Sequence, residues 1–498
     1  MRFSLNLKPV LRVRCVVMST VLFISSLAGA ASNNPIPQVV GPPVPQAVVP
    51  GSGAFTLSVY GANFVQGAVV NWNRSPRETT FISAHELQAQ ILASDVANPT
   101  AGYITVTNPA PGGGVSSSSY GLVEVHERTK TISVKQPGVY TVGGDPGPVL
   151  AADFTNAGIL DLVTGTSDSE GLVVLNVGNG DGTFQPAVSI GKHDISSMSF
   201  GDFDGDGTID LIYGWQDGKM GICGDQPPYP PCYLKVLLND GHKGFHGLPP
   251  FGRNVSDYAN GIVVGDFNRD GILDLAVFED GNGGGVFLGN GDGTFTHAGN
   301  FHLGFGGGYA VTADFNGDGI LDLVVEYGNS LYILIGNGDG TFQKPRRIAT
   351  DKYKIGNNGL PLFVNDFNGD GIADLVFCDK SYDAVGRIGV LLGNGDGTFQ
   401  RPVYYPVENS SQGGFSFTAG DFRSDGKTDL IAATPGVNNE QFEVFWGTGN
   451  GNFQKGQRIT LPDNFGGEGG FVPGDFNSDG LLDFVMVNAA GLWVYVQK

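Results

Sequence analysis

The chain has 498 residues, of which 79 are glycine, and its 49 acidic and 28 basic side chains give a formal net charge of -21. This negative charge argues against nucleic acid as a partner, because surfaces that bind nucleic acid are basic. Beyond residue 30, no apolar stretch is long enough to cross a membrane as a helix.

The first 30 residues are typical of a secretory signal peptide. Four basic residues precede an apolar run at 16–27, and the small residues Ala28, Gly29 and Ala30 form a cleavage pattern. Cys15 lies before the apolar run, which disfavours a lipoprotein anchor. We therefore expect a secreted protein, extracellular or periplasmic. Its mature chain would lose those four positive charges from the total of -21, giving about -25.

A proline-rich segment at 31–50 is predicted to be a spacer, and a small all-β unit is predicted at 51–126. Apolar and polar residues alternate in this unit with turns between them, as in the strands of a β-sandwich. The Gly61–Phe64 turn, the Asn71–Asn73 strand and the ending at Asn108–Pro109 are similar to those of IPT/TIG immunoglobulin-like domains. That resemblance implies a spacer or an adhesive module.

From residue 131 to the end, a nine-residue acidic loop recurs seven times, at spacings of 48 to 64 residues. The best copies are DFNGDGILD, which begins at Asp314, and DFNGDGIAD, which begins at Asp366. A short apolar run rich in branched and aromatic residues follows each loop and is predicted to be a strand. A period of about fifty residues predicts the blades of a propeller or another repeat array.

The acidic loops carry oxygen atoms at the spacing that calcium requires. Side chains at positions 1, 3, 5 and 9 and the carbonyl of position 7 offer the ligands, and glycine at position 6 permits the sharp turn. Five loops are predicted to bind calcium, and an acidic turn without an ion is the other interpretation. The predicted metal residues are Asp202, Asp204, Asp206, Thr208, Asp210, Asp266, Asn268, Asp270, Ile272, Asp274, Asp314, Asn316, Asp318, Ile320, Asp322, Asp366, Asn368, Asp370, Ile372, Asp374, Asp475, Asn477, Asp479, Leu481 and Asp483.

Two copies lack a complete ligand set and are predicted to hold no ion. The loop at Asp153 has Thr155 and Ala157 at positions 3 and 5. The loop at Asp421 has Arg423 at position 3, where the guanidinium could pair with the carboxylates of its loop in place of a cation. An EF-hand is disfavoured for all seven copies, because none has glutamate at position 12.

A second signature, Gly-Asn-Gly-Asp-Gly-Thr-Phe, follows most acidic loops and predicts a hairpin turn anchored by a buried phenylalanine. Each repeat then contains four strands, with the acidic loop between the first two and this turn between the last two. The final repeat lacks its fourth strand. Residues 131–142 are predicted to supply that strand beside the C-terminal one and so to close the ring.

The acidic loop, the following strand and the second turn, recurring in this order, resemble FG-GAP (VCBS-type) repeats, which build the seven-bladed propeller of integrin alpha chains. The resemblance covers residues 131–498. It implies an all-β fold, with a seven-bladed β-propeller preceded by the small immunoglobulin-like β-sandwich. It also implies calcium sites on one face and ligands, as in cell adhesion, on the opposite face.

The opposite face would carry an enlarged loop at 218–233, in which Cys223 and Cys232 are predicted to form a disulfide in an oxidising compartment. Exposed aromatic residues there suit contacts with a glycan or a protein, or else cover the ends of the blades. The ligand-face candidates are Tyr229, Tyr258, Tyr309, Tyr353 and Tyr382, together with Phe415 and Phe465.

No catalytic motif accompanies this scaffold: a serine nucleophile elbow, a phosphate-binding loop and a zincin motif are all missing from the sequence. His193 and His302 fall near predicted ligand-face loops, without a partner in a known constellation. We therefore expect a secreted, monomeric, non-catalytic protein, stabilised by calcium, that binds a glycan or a protein. The alternatives are a polysaccharide lyase or hydrolase on the same scaffold, and a purely structural envelope component.

Overall fold

The structure is a computed structural model that describes the chain from residue 33 to residue 498 with internal gaps. The residues it leaves undescribed are 1–32, 117–120, 136–137, 144–145, 167–170, 217–231, 253–258, 280–282, 302, 304–306, 328–329, 349–361, 380–385, 409, 411–414, 435–440, 461–469 and 489–490. The predictions that fall outside the described residues concern the signal peptide, Cys223, Tyr229, Tyr258, His302, Tyr353, Tyr382 and Phe465. The disulfide between Cys223 and Cys232 therefore stays a prediction.

The fold is all-β, and no helix occurs among the described residues. None of them, accordingly, forms a helix long and apolar enough to cross a membrane. The first ten strands are β1 (Gln38–Val39), β2 (Ala47–Val48), β3 (Phe55–Ala62), β4 (Val69–Trp72), β5 (Ser75–Pro76), β6 (Thr79–Ser83), β7 (Glu86–Ile91), β8 (Thr100–Asn108), β9 (Gly114–Val115) and β10 (Leu122–Val125).

These ten strands form the N-terminal sandwich, residues 33–125, whose two sheets share one apolar core. One sheet has the strand order β1-β3-β7-β6, and the other has the order β2-β10-β8-β4-β5, with β9 beside β8. Leu57 and Leu87 from the first sheet and Val70, Ile104 and Val123 from the second are fully buried in that core. Alternation of apolar residues along each strand places one face inward, as the sequence pattern predicts.

The structure places part of the predicted spacer at 31–50 in the sandwich. β1 pairs with β3, with Gln38 opposite Ala62, and β2 pairs with β10, with Ala47 opposite Glu124. Both strands lie at sheet edges, where neighbouring prolines cost no internal ladder hydrogen bond. Strands of two residues are too short to show alternation, so the sequence pattern did not reveal them.

From residue 138 onward, the described residues form seven four-stranded sheets, here called the repeat sheets, which are consistent with propeller blades. All of their strand pairs are antiparallel, and six of them follow the order of the chain. Their strands are β12 (Pro146–Ala152), β13 (Asp161–Thr166), β14 (Leu172–Asn176) and β15 (Val188–Lys192); β16 (Asp194–Gly201), β17 (Asp210–Gln216), β18 (Cys232–Asn239) and β19 (Phe245–Gly247); β20 (Ala259–Gly265), β21 (Asp274–Glu279), β22 (Gly283–Gly289) and β23 (Phe295–Phe301); β24 (Gly307–Ala313), β25 (Asp322–Tyr327), β26 (Ser330–Leu334) and β27 (Arg346–Arg347); β28 (Leu362–Asn365), β29 (Asp374–Asp379), β30 (Arg387–Leu391) and β31 (Val403–Pro406); and β32 (Ser416–Gly420), β33 (Asp429–Thr434), β34 (Gln441–Gly447) and β35 (Phe453–Thr460).

The last repeat sheet joins the two ends of this region. It contains β36 (Phe471–Gly474), β37 (Asp483–Asn488), β38 (Gly491–Tyr495) and, beside β38, the early strand β11 (Gly138–Tyr140). Val139 lies opposite Trp493 in this antiparallel pair, and Val134 bridges Gln497. The predicted pairing of residues 131–142 with the C-terminal strand is confirmed.

A repeated phenylalanine contact links neighbouring repeat sheets. The phenylalanine that ends the turn between the third and fourth strands of a sheet packs against the one at position 2 of the acidic loop in the preceding sheet, with ring centroids 5.5 to 6.4 Å apart. The pairs are Phe245 with Phe154, Phe295 with Phe203, Phe342 with Phe267, Phe399 with Phe315, Phe453 with Phe367, and Phe184 with Phe476. The last pair joins the first repeat sheet to the seventh.

At the one junction that lacks such a turn, the C-terminus supplies the contact. Gln497 Nε2 donates to the carbonyl of Phe422 at 3.2 Å. The equivalent carbonyl accepts from the backbone N–H of a turn glycine at five other junctions, and at Phe154 it accepts from Asn239 Nδ2 at 2.7 Å. Gln497 is fully buried. The C-terminal residues after β38 therefore complete the contact between the sixth and seventh repeat sheets.

Candidate metal loops

Each acidic loop connects the first two strands of its repeat sheet and is held by its own first aspartate. In the loop at Asp266, Oδ2 of Asp266 accepts from the N–H of Gly271 at 2.9 Å, and Oδ1 accepts from the N–H of Asp270 at 3.1 Å. Gly271 has a φ of +86°, a left-handed conformation that glycine adopts without steric cost. The predicted role of the glycine at position 6 in the sharp turn is therefore visible in the backbone, and the aspartate at position 1, predicted only as a metal ligand, also holds the turn.

The aspartate at position 9 has a structural role that sequence analysis missed. Oδ2 of Asp274 accepts from the N–H of Phe267 at 2.9 Å, and Oδ1 accepts from the N–H of Gly289 at 2.9 Å. One buried carboxylate thus connects the loop to the third strand of its own sheet. The same double acceptance occurs at Asp210, Asp322, Asp374 and Asp483.

The carboxylates of these loops are crowded, and their titration reflects it. Burial raises the pKa of Asp274 to about 8, and the nearby charges of Asp266 and Asp270 raise it further against the opposing backbone hydrogen bonds. For the same principal reason, burial, the pKa is raised to about 7 at Asp210 and Asp322 and to about 8 at Asp374 and Asp483. A bound divalent cation would offset the repulsion and keep these groups ionised.

The donor atoms fit a hard divalent cation. Carboxylate oxygens of Asp202, Asp204 and Asp210 lie within 4.8 Å of one another. In the other complete loops an asparagine takes position 3; Asn268, for example, bonds through its amide to Asp270. Oxygen ligands without sulfur or imidazole are the set that calcium prefers.

The two incomplete loops contain guanidinium groups. Arg423 Nη2 lies 3.1 Å from Asp425 and 2.9 Å from Asp429, as predicted for the loop at Asp421. Arg128 adds a second guanidinium, 2.9 Å from Asp425. In the loop at Asp153 the cation comes from the sandwich, where Arg74 Nη2 lies 2.6 Å from Asp153. No sequence signal marked Arg74 or Arg128.

The N-terminal sandwich packs directly on the acidic loops, a contact that sequence analysis also missed. A Cβ atom added at Gly271 would lie 2.6 Å from the carbonyl oxygen of Asn34, and one at Gly480 would lie 2.6 Å from that of Thr100. At Gly207, in the loop of the second repeat sheet, an added Cβ meets nothing within 4 Å. The sandwich therefore covers part of the loop face and leaves the loop at Asp202 open.

Polar contacts reinforce this packing. The N–H of Ile36 donates to Asp266 Oδ2 at 2.8 Å, and the hydroxyl of Ser424 donates to Glu124 Oε2 at 2.5 Å. Glu124 lies in the sandwich and is buried, and burial followed by the nearby charge of Asp421 raises the pKa of its carboxyl well above the ordinary range. Burial therefore favours the neutral form of Glu124 beside the acidic loops.

At the opposite end of the repeat sheets, only part of the predicted ligand face is described. Tyr309 is 43% exposed, and its assignment to a ligand site stays a prediction. Phe415 is buried and packs beside Phe417, so its prediction as a ligand-face residue is wrong; it contributes to the core between neighbouring sheets.

An aromatic stack occupies this end of the second repeat sheet. The His193 ring stacks on Trp215, with centroids 3.7 Å apart, and Tyr233 stacks on Trp215 at 5.4 Å. Trp215 lies near the end of β17, whose other end is Asp210 of the acidic loop. The indole N–H of Trp215 and the hydroxyl of Tyr213 are buried without a hydrogen-bond partner among the described residues.

Comparison with known structures supports the all-β fold. The BP39L lectin from Burkholderia pseudomallei is 15% identical, and the match covers 70% of this chain and 97% of the lectin with a TM-score of 0.50. An Agrocybe aegerita lectin that recognises non-reducing terminal N-acetylglucosamine is 19% identical, covering 79% of this chain and 96% of its own, with a TM-score of 0.43. A rhamnogalacturonan lyase from Bacillus licheniformis is 12% identical, covering 93% and 91%, with a TM-score of 0.43. No curated protein sequence matches the chain.

The repeats themselves establish the family. The pattern of the FG-GAP-like repeat matches five segments, at 153–213, 266–325, 314–377, 366–432 and 424–486. Together these segments cover more than half of the chain, and each begins in or at one of the acidic loops. The protein belongs to the FG-GAP-like repeat family.

Proposed function

We propose that this protein is a seven-bladed, calcium-stabilised β-propeller that binds a glycan on the face opposite the acidic loops. The observation that carries this proposal is the position of the sandwich. Because the sandwich packs against Gly271 and Gly480, it occupies part of the loop face, and we assign the ligand to the opposite face. The sandwich itself would be an immunoglobulin-like domain of the IPT/TIG type.

The aromatic stack gives the opposite face a chemistry that suits sugars. Aromatic rings present apolar faces to the C–H groups of a sugar ring, while their polar atoms can hydrogen-bond its hydroxyls. Trp215 itself is buried, so the rings that a sugar could reach are those of His193 and Tyr233 beside it and the exposed ring of Tyr309, two repeat sheets away. The similarity to the lectin from Burkholderia pseudomallei supports the scaffold and carries no information on the ligand.

Calcium would have a structural role. The five complete loops, which begin at Asp202, Asp266, Asp314, Asp366 and Asp475, would hold it through the predicted oxygen ligands. A bound ion supplies positive charge that ties both ends of a loop together and relieves the repulsion among its carboxylates. The aspartates at position 1 would orient the loop through the glycine at position 6, and those at position 9 would connect it to the sheet.

Binding without catalysis is the simpler proposal. His193 stacks on Trp215, and the sequence contains no serine nucleophile elbow, phosphate-binding loop or zincin motif. The crowded aspartates face the sandwich side, where they have a structural explanation. A polysaccharide lyase or hydrolase remains a distinct outcome of the test below.

The test is incubation of the mature protein with soluble and insoluble polysaccharides in calcium, with retained protein and released sugar ends measured together. Retention without release is the expected result. Tyr233→Ala and Tyr309→Ala should weaken retention, whereas His246→Ala, on the exposed outer strand β19, should not. Release of sugar ends would favour an enzyme. The absence of both retention and release would contradict a glycan ligand. Secretion through the predicted signal peptide and a monomeric state complete the proposal.

A further inference from the structure

The loop at Asp153 is bonded to a hairpin of the sandwich. The hairpin joins β4 and β5, and Arg74 lies at its tip. Arg74 Nη2 is 2.6 Å from Asp153 Oδ2 and donates to Asn156 Oδ1 at 2.9 Å, while Nη1 donates to the carbonyl of Asn156 at 3.3 Å. One guanidinium therefore binds three oxygen atoms of a single acidic loop.

The hairpin tip is braced in the conformation that presents Arg74. Asn73 and Arg74 both have positive φ, 46° and 65°, which is uncommon for residues other than glycine. The amide of Asn73 donates to the carbonyl of Ala101 at 3.0 Å and accepts from the N–H of Tyr103 at 2.8 Å. These bonds to β8 fix the turn, so the guanidinium loses little further freedom when it binds the loop.

The loop keeps the shape of the complete loops although it has lost their side-chain ligands. Asp153 accepts from the N–H groups of Ala157 and Gly158, both at 2.8 Å, just as Asp202 accepts from Gly207 at 3.0 Å. At position 3, the hydroxyl of Thr155 donates to Asp161 and so presents no free carboxylate. The loop thus retains a negative carboxylate without enough oxygen ligands for an ion.

Guanidinium groups also bind the carboxylates of the second incomplete loop. Arg423 and Arg128 converge on Asp425, and Arg128 follows directly on the last strand of the sandwich. Both loops that lack ligands therefore receive a guanidinium that comes from the sandwich or its connection. We propose that the guanidinium of Arg74 takes the place of calcium in the loop at Asp153 and holds the sandwich against the acidic loops. The part of this proposal that concerns calcium rests on the proposed function.

Competition between Arg74 and a restored ion tests the proposal. Thr155→Asn with Ala157→Asp gives this loop the oxygen ligands of a complete one. The restored loop should bind calcium roughly tenfold more tightly when Arg74→Ala is added, because the ion then does not have to displace the hydrogen-bonded guanidinium. Calcium titration with native mass spectrometry measures the affinity of the restored variant with and without Arg74→Ala. The control carries Arg401→Ala in place of Arg74→Ala. Equal affinity with and without Arg74 would overturn the proposal.

A calcium-free experiment separates this proposal from the proposed function. In chelator, Arg74→Ala should increase amide hydrogen exchange in the peptide that contains Ala157 and Gly158, and exposed Arg401→Ala should leave that peptide unchanged. Arg74→Lys should recover only part of the protection, since an ammonium cannot span Asp153 and Asn156 as a guanidinium does. If the wild-type chain binds no calcium, the metal proposal fails while this measurement still decides the role of Arg74. Unchanged exchange in Arg74→Ala would reject it.

Discussion

The loops at Asp266 and Asp153 have the same backbone hydrogen bonds but differ in the cation that their side chains suit. In both, the first aspartate accepts hydrogen bonds from the glycine at position 6, through Gly271 in one and Gly158 in the other. The first loop has oxygen-bearing side chains at positions 1, 3, 5 and 9, whereas the second receives Arg74 from the sandwich. The comparison teaches that aspartate and glycine specify the turn, and that the remaining positions decide which positive charge neutralises it.

Removal of calcium should have the largest effect on this comparison. An ion that binds only the folded loop adds about 2.7 kcal/mol at a free concentration of 100 Kd, and five loops would bind one each. We expect the melting temperature to fall by about 10 °C or more in chelator. Differential scanning calorimetry in calcium and in chelator measures the change. An unchanged melting curve would contradict a structural role for the ion.

The pH dependence of stability should change sign with calcium. In chelator, the raised pKa of Asp374, about 8 against about 4 when unfolded, means that the folded state binds more protons between these values. The stability that these carboxyls contribute should therefore be greatest below about pH 4 and fall as the pH rises towards 8, with Asp274 and Asp483 contributing similarly.

In calcium, stability should instead rise over the same range, because the ion requires ionised carboxylates. Thermal unfolding across this pH range, with and without calcium, checks both slopes. A rise in stability with pH in chelator would show that the buried carboxyls are ionised without an ion.

Arg423→Asn should convert an arginine loop into a calcium loop. The guanidinium is 13% exposed and pairs with Asp425 and Asp429. Its loss in chelator should cost about 3 kcal/mol by leaving the buried carboxylate of Asp429 without a cationic partner, while Arg128 still pairs with Asp425. In calcium the loop has an amide oxygen at position 3, and we expect most of the stability to return with one additional ion. Arg423→Leu is the matched control, which should lose stability in both conditions. Absence of rescue by calcium would argue against the assignment of position 3.

A pair of glycine substitutions should have the smallest effect and isolates the contact with the sandwich. Gly207 and Gly271 both have a φ of +86° at position 6. Gly207→Ala should cost only the backbone strain, about 1 kcal/mol. Gly271→Ala should cost about 1 to 3 kcal/mol more, because its Cβ would lie 2.6 Å from the carbonyl oxygen of Asn34. Chemical denaturation of both variants in calcium measures the difference, and equal losses would mean that the sandwich does not press on this loop.

The repeat architecture could be predicted because its signals are local and recur. The position of the acidic loops, the strands around them and the pairing of 131–142 with the C-terminal strand all follow from residues close together or from the need to close a sheet edge. The pairing of Arg423 was also predictable, since its partners Asp425 and Asp429 lie in the same loop.

The docking of the sandwich could not be predicted, because it depends on contacts between distant parts of the chain. Asn34 and Gly271 carry no pattern that joins them, and the glycine already had a sufficient explanation in its turn. Arg74 lies in a hairpin of ordinary polar composition. The two hydrogen bonds that Asp274 accepts could not be predicted for a related reason. An aspartate suits a metal ligand and a hydrogen-bond acceptor equally, so the sequence does not distinguish the two roles.

The number of calcium ions bound per chain tests the central claim most directly. Native mass spectrometry of the mature protein, after exchange into buffer with a defined free calcium concentration, gives that number for the folded state. We predict about five ions, one for each complete loop. Seven ions would contradict the replacement of calcium by arginine in the loops at Asp153 and Asp421, and none would contradict the assignment of the acidic loops as calcium sites.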